Sequence, residues 1–160
     1  MSRKAALAIT AAVLALTIAG APASAQSSSH VGMRVGYNFR VEEALLSMHL
    51  QVPMTSRIYF YPSLDVYAPE EGNRVGFNGD VKIALPGAPP VGLQLYAGAG
   101  LGIINRNEDG FSNSDLGANF LMGIESAIGW IHPFAEGKLM IYDRSSFQMV
   151  AGVNITLGNR

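Results

Sequence analysis

Seven charged residues sit at alternating positions among apolar ones: Arg34, Asp65, Asp80, Lys82, Glu125, Glu136 and Lys138. Three cations and four carboxylates on one face can neutralise one another as a buried ion network, or line a path for protons or ions. Buried charges need partners, so we take the set as a structural plug first and a gated path second. Ser47 and His49 share the same polar face, which raises a hydrolytic pair for consideration. His30, His49 and His132 are too scattered for a helical metal pair, and only His49 reads as inward-facing, so neither a metal nor another cofactor is expected. Gly98-Ala-Gly100-Leu-Gly102 keeps a two-residue period and lacks the lysine and following helix of a phosphate loop, which makes it a curvature or packing feature. Asn154-Ile-Thr156 matches a glycosylation sequon but falls inside a strand and carries no weight.

The segments that carry these residues repeat every second position, which is the period of strands. Val31, Met33, Val35, Tyr37 and Phe39 alternate with Gly32, Arg34, Gly36, Asn38 and Arg40. The same pattern predicts seven more strands, at 43–55, 57–68, 74–86, 91–105, 115–128, 131–142 and 146–157. Pro62 falls mid-strand on the apolar face and cannot donate to a ladder, so a bulge or irregular pairing is expected there.

The front of the chain is a different object. Residues 1–25 combine Arg3 and Lys4, an apolar run and Ala23-Ser24-Ala25, the three parts of a secretory signal peptide cut before Gln26. Residues 26–160 then form a single domain. The absence of cysteine excludes a lipoprotein anchor, disulfides and thiolate metal sites. Without Arg3 and Lys4, 9 basic residues face 12 acidic ones, and no basic run exists to attract nucleic acid. Only 14% of the chain is charged, against roughly 25% in soluble domains.

Charge placement decides which face meets water. Of 21 charged residues after the leader, 14 fall in turns, loops or ends, and the seven named above all share the polar face. Seven charges over eight strands make a poor soluble exterior but a reasonable barrel interior. Gly recurs on that face among Tyr59, Tyr61, Tyr67 and Tyr96, small beside large, as a narrow lumen requires. On the apolar face Tyr37, Phe39, Phe77 and Phe147 lie toward one rim and Phe60 and Trp130 toward the other, like two interfacial girdles. If the first strand runs outward, the odd connections are extracellular, mostly acidic and polar, and the longest runs from 105 to 114. These loops offer Glu70, Glu71, Arg106, Glu108 and Asp109 as surface contacts. The even connections are short and largely uncharged, as periplasmic turns tend to be.

A signal peptide followed by eight dyad-patterned strands over 31–157 resembles the small outer-membrane β-barrel proteins of the OmpA-barrel and OmpX type. That resemblance implies an all-β, eight-stranded antiparallel up-and-down transmembrane barrel in the bacterial outer membrane. Its partners would be outer-membrane lipids and the barrel-assembly machinery, with no nucleic acid. The chain departs from the pattern in ending Leu157-Gly-Asn-Arg160 instead of on an aromatic residue. Two other readings share the alternation: a secreted or periplasmic lipocalin-like barrel with its apolar face turned inward around a lipid, and an outer-membrane lipid-modifying enzyme. Ser47 and His49 would point into the barrel, away from lipid, so no enzyme is expected.

Overall fold

The computed structural model describes residues 28–69, 72–86, 92–108, 111–143 and 145–158. The leader, Glu70, Glu71, Asp109 and residues 87–91 lie outside them. Eight strands follow in order: β1 Ser29–Asn38, β2 Glu43–Pro53, β3 Ile58–Ala68, β4 Asn73–Ala84, β5 Leu93–Glu108, β6 Phe111–Ser126, β7 Ile131–Ile141 and β8 Ser145–Leu157. Each strand pairs antiparallel with its sequence neighbour, and β8 returns to β1 from Ser29↔Leu157 to Asn38↔Gln148, closing the barrel. Closure removes the open edges that an apolar-faced sheet would otherwise expose in lipid.

The two faces of every strand separate cleanly. Met48, Leu95 and Val153 are 54%, 42% and 41% exposed on the outer wall, whereas Arg34 and Lys138 are 1% and 0% exposed inside. A lipocalin-like barrel needs the reverse, with the aliphatic side chains around an enclosed centre, so that alternative is excluded. Tyr37, Phe39 and Phe147 cluster at one rim, with ring centroids 5.4 and 6.0 Å apart, while Phe60 and Trp130 are exposed toward the other.

Eight strands leave an interior just wide enough for side chains, and the register shows how it is filled. Large inward residues lie beside glycine on the next strand: Arg34↔Gly152, Asp80↔Gly100, Lys82↔Gly98 and Tyr96↔Gly123. A Cβ at Gly152 would run into the Met33 carbonyl and Arg34 itself, so the guanidinium can cross the lumen only because its neighbour has no side chain. The strands are also staggered. Following the register from Met33 through Met48, Leu64, Phe77, Ile103 and Leu116 runs past the end of β7 before it returns to β1. Such stagger accompanies a tilt of roughly 35–45° in closed barrels.

We call the end formed by connections 39–42, 69–72, 109–110 and 142–144 the loop end, and its opposite the turn end. The connections differ from expectation. Residues 105–108 and 111–114 are strand and not loop: β5 and β6 pair as far as Glu108↔Phe111, and the longest interval between strands is instead 85–92, at the turn end. The outward face turns polar after Ile103 and before Leu116, which mimics a loop in sequence although the hairpin ladder continues. Because β7 joins β6 only from Ala118↔Ile141, residues 111–117 pair with β5 alone.

Pro62 produces no bulge, and the irregular pairing expected there takes the form of missing ladder steps. β2 and β3 keep one register from Ala44↔Ala68 to Pro53↔Tyr59, and the two steps beside Leu50 and Gln51 drop out where proline has no N–H to give. On the other side Pro62↔Gly79 pairs in step.

Glu42, in the turn between β1 and β2, is the one non-glycine residue with positive φ among the described residues, at 55°. A β-carbon is disfavoured there. Glu42→Gly should therefore stabilise the folded barrel by about 0.5–1 kcal/mol, read as a higher urea midpoint, with Glu42→Ala giving no such gain. Equal gains from both variants would show that backbone strain is not the cause.

Candidate functional site

All seven polar-face charges lie on the interior wall, in three ion-paired groups. The midplane belongs to Arg34, on β1. Its Nε donates to Ser47 Oγ at 3.0 Å. Nη1 donates to Glu136 Oε1 at 2.7 Å and to the Tyr61 hydroxyl at 3.3 Å. Nη2 donates to Asp65 Oδ1 and Ser63 Oγ, both at 3.1 Å. A guanidinium carries five N–H groups in a fixed fork, and each has an acceptor here. Strands β1, β2, β3 and β7 are thereby tied across the lumen by one side chain.

Neutral amides extend the tie. Asp65 Oδ2 accepts from Asn78 Nδ2 at 2.9 Å, and Asn78 Oδ1 accepts from Asn119 Nδ2 at 2.9 Å. Asn119 Nδ2 also donates to Asp80 Oδ1 at 3.0 Å, while Lys138 Nζ donates to Asp80 Oδ2 at 2.7 Å. Tyr96 donates its hydroxyl to Glu136 Oε2 at 3.0 Å. A chain of direct contacts thus runs from Tyr96 through Arg34 to Lys138, spanning six of the eight strands.

The third group lies toward the turn end. Lys82 Nζ donates to Gln51 Oε1 at 3.0 Å, stands 3.6 Å from Glu125 Oε2, and faces the Tyr96 and Tyr61 rings at 3.8 and 4.2 Å from their centroids. Ring faces attract a cation electrostatically, so burial of this ammonium is partly offset. Glu125 Oε1 accepts from Asn154 Nδ2 at 2.7 Å, and the Asn154 carbonyl oxygen contacts His49 Nε2.

These contacts dispose of the Ser47 and His49 pairing. The serine hydroxyl accepts from Arg34, the imidazole engages Asn154, and both are buried inside the wall. A nucleophile and its base would have to meet each other at a rim that substrate can reach.

Several residues belong to the lumen without being identified in the sequence. His30 and His132 also face inward, in edge-to-face contact at 5.0 Å. His132 is held by the Ser126 carbonyl at 2.7 Å and by Thr156 Oγ1 at 2.9 Å. Asn78, Asn119, Gln51 and Asn154 lie on the same alternating face as the charges, and that parity was the available signal. Toward the loop end, two further ion pairs join Arg74 to Glu43 at 2.7 Å and Arg106 to Asp115 at 3.3 Å. Arg106 is therefore a strand residue engaged with β6, not a loop contact. Glu108 is the last residue of β5, and Glu70, Glu71 and Asp109 fall outside the described residues. Tyr142, in the last loop-end turn, covers Gly102 and Gly117, and burial raises its hydroxyl above the ordinary tyrosine range.

No family model and no curated protein matches the sequence. Solved structures do. The N-terminal β-barrel domain of OprF from Pseudomonas aeruginosa aligns with a TM-score of 0.71 at 19% identity, over 82% of this chain and 98% of that one. Neisserial surface protein A aligns at 0.58 and 11% identity, over 81% and 95%. Ail, the attachment invasion locus protein of Yersinia pestis, aligns at 0.53 and 12% identity, over 81% and 97%. With the closed order of eight antiparallel strands, the apolar outer wall and the charged lumen, this chain has the fold of the small eight-stranded outer-membrane β-barrels.

Proposed function

We propose that the protein is an integral outer-membrane barrel, exported by the leader at residues 1–25, that serves as a closed structural or surface-interaction element and not as an open pore or an enzyme. One observation carries this reading: the five-donor engagement of Arg34, which fills the midplane with groups from four strands. An ion crossing that layer would have to displace Glu136 and Asp65 from the same guanidinium together. Each breakage would leave a buried carboxylate uncompensated, at several kcal/mol apiece.

Surface interaction then falls to the loop end. Glu42 and Asp143 are exposed there, and Glu70, Glu71, Glu108 and Asp109 add to the acidic surplus in sequence. A basic partner, or one that bridges through divalent cations, suits such a rim.

Planar-bilayer recording tests the closed state. The purified protein should insert without stable open-channel steps, and large, long-lived conductance at low voltage would refute a filled interior. Fractionation tests the location, since the folded chain should require detergent for release from the outer-membrane fraction.

A further inference from the structure

We infer that the cavity at the turn end of the lumen is a binding site for a small anion carrying a phosphate or carboxylate group. The inference goes beyond the reading above and needs only the closed midplane, not the barrel's location or orientation in a membrane.

The cavity measures about 480 Å³, within the roughly 300–1,000 Å³ of ordinary small-molecule sites. It ends blindly on Lys82 and Tyr96, below the Arg34 layer. Arg57 stands at its mouth, where its backbone is fixed: its N–H donates to Thr55 Oγ1 and its carbonyl accepts from Ala84 N at 2.8 Å.

Hydrogen-bond accounting selects the charge of the guest. Lys82 carries three N–H donors, of which Gln51 takes one at 3.0 Å, while Glu125 stands off at 3.6 Å. The exposed Arg57 guanidinium makes no hydrogen bond or ion pair with another described residue, and His30 Nδ1 is buried without a hydrogen-bond partner. The carboxylate and one imidazole are already engaged. Glu125 Oε1 is used by Asn154, and both His132 nitrogens are engaged. Two basic side chains, Arg57 and Lys82, therefore face the single carboxylate of Glu125, which Asn154 and Lys82 already share.

A cation would add to the positive charge of Arg57 and Lys82. No group of three metal-ligating side chains is present among the described residues. A lipid tail could lie along Ala84, Leu85 and Pro86 but would leave Lys82, Glu125 and the His30 and His132 rings facing hydrocarbon. An oxyanion reaching from Arg57 toward Lys82 uses the donors as they stand, in charge-assisted hydrogen bonds.

The test uses the full chain folded in phospholipid-free detergent micelles, titrated with inorganic phosphate and with glucose 6-phosphate at constant chloride. Amide and side-chain resonances of Arg57, Tyr59 and Gln94 are followed by NMR. Saturable shifts confined to the turn end are expected. Arg57→Gln, on an exposed turn, should weaken binding about tenfold, as loss of a charge-assisted hydrogen bond implies. Lys82→Gln should abolish binding if it folds, and Arg57→Gln decides the matter if it does not. A second arm places the protein in nanodiscs of phosphatidylglycerol or of phosphatidylcholine. Shifts of the same resonances in the anionic lipid alone, competed by free phosphate, would identify a headgroup as the source, whereas shifts by the added phosphates only would identify a soluble anion. The site is refuted if no probe gives a saturable shift, if spermidine shifts the same resonances equally, or if Arg57→Gln titrates like the parent.

Discussion

Arg34→Ala is expected to cost the barrel about 3–5 kcal/mol, because it strands two buried carboxylates at once. Asp65 and Glu136 are both fully enclosed, and each takes a direct bond from this guanidinium. Urea unfolding in detergent, read by the mobility difference between boiled and unboiled samples, should show a large fall in midpoint. Arg34→Lys should lie between, since an ammonium has three donors and cannot copy the planar five-donor fork. The informative control is a triple variant, Arg34→Met with Asp65→Asn and Glu136→Gln, which removes the stranded charges and should regain most of the loss. An Arg34→Ala barrel as stable as the parent would mean that the network is not structural, and the closed-lumen proposal would lose its support.

A charge on the opposite face should be nearly as damaging, for a different reason. Ala99 is exposed at the middle of the outer wall, midway between Leu95 and Ile103 on β5 and paired with Val81 and Phe120. If that wall faces acyl chains, Ala99→Arg should destabilise the barrel folded in phospholipid vesicles by about 2–4 kcal/mol, whereas Asn107→Arg, beyond the apolar band, should cost about 0–1. The depth dependence is the diagnostic quantity. Equal and small effects at both positions would place the outer wall in water and overturn the membrane reading, while leaving the Arg34 prediction intact.

Alternation made most of the wall legible. Strand positions read from the two-residue period agree with the structure to within a few residues, because each strand has one face in lipid-like surroundings and one in a polar lumen. Where one face changed character along its length, the period faded and the reading failed. Beyond Ile103 the outward positions become Asn105 and Asn107, so a continuing hairpin looked like a loop and Arg106 like a loop contact. Pro62 was legible in part: the missing donor pointed to a bulge or irregular pairing, and the ladder does drop two steps there, but without a bulge and without a change of register.

Composition and period together point to a closed wall with its charges inside, since that arrangement hides the ions and removes the sheet edges, but the same alternation serves a barrel with its apolar face inward, which only the outward placement of Met48, Leu95 and Val153 excludes. They do not settle which charge meets which. Arg34 and Glu136 are 102 residues apart, and their 2.7 Å contact exists only because the stagger of eight tilted strands brings β1 and β7 level across the lumen. The same closure recruited Asn78, Asn119 and Asn154 as couplings between carboxylates, drew His30 and His132 together, and left a polar chamber under Lys82. Partner choice in a lumen is a property of the closed cylinder. Local pattern can say that a side chain points inward, but its height on the wall depends on every register between it and its neighbour.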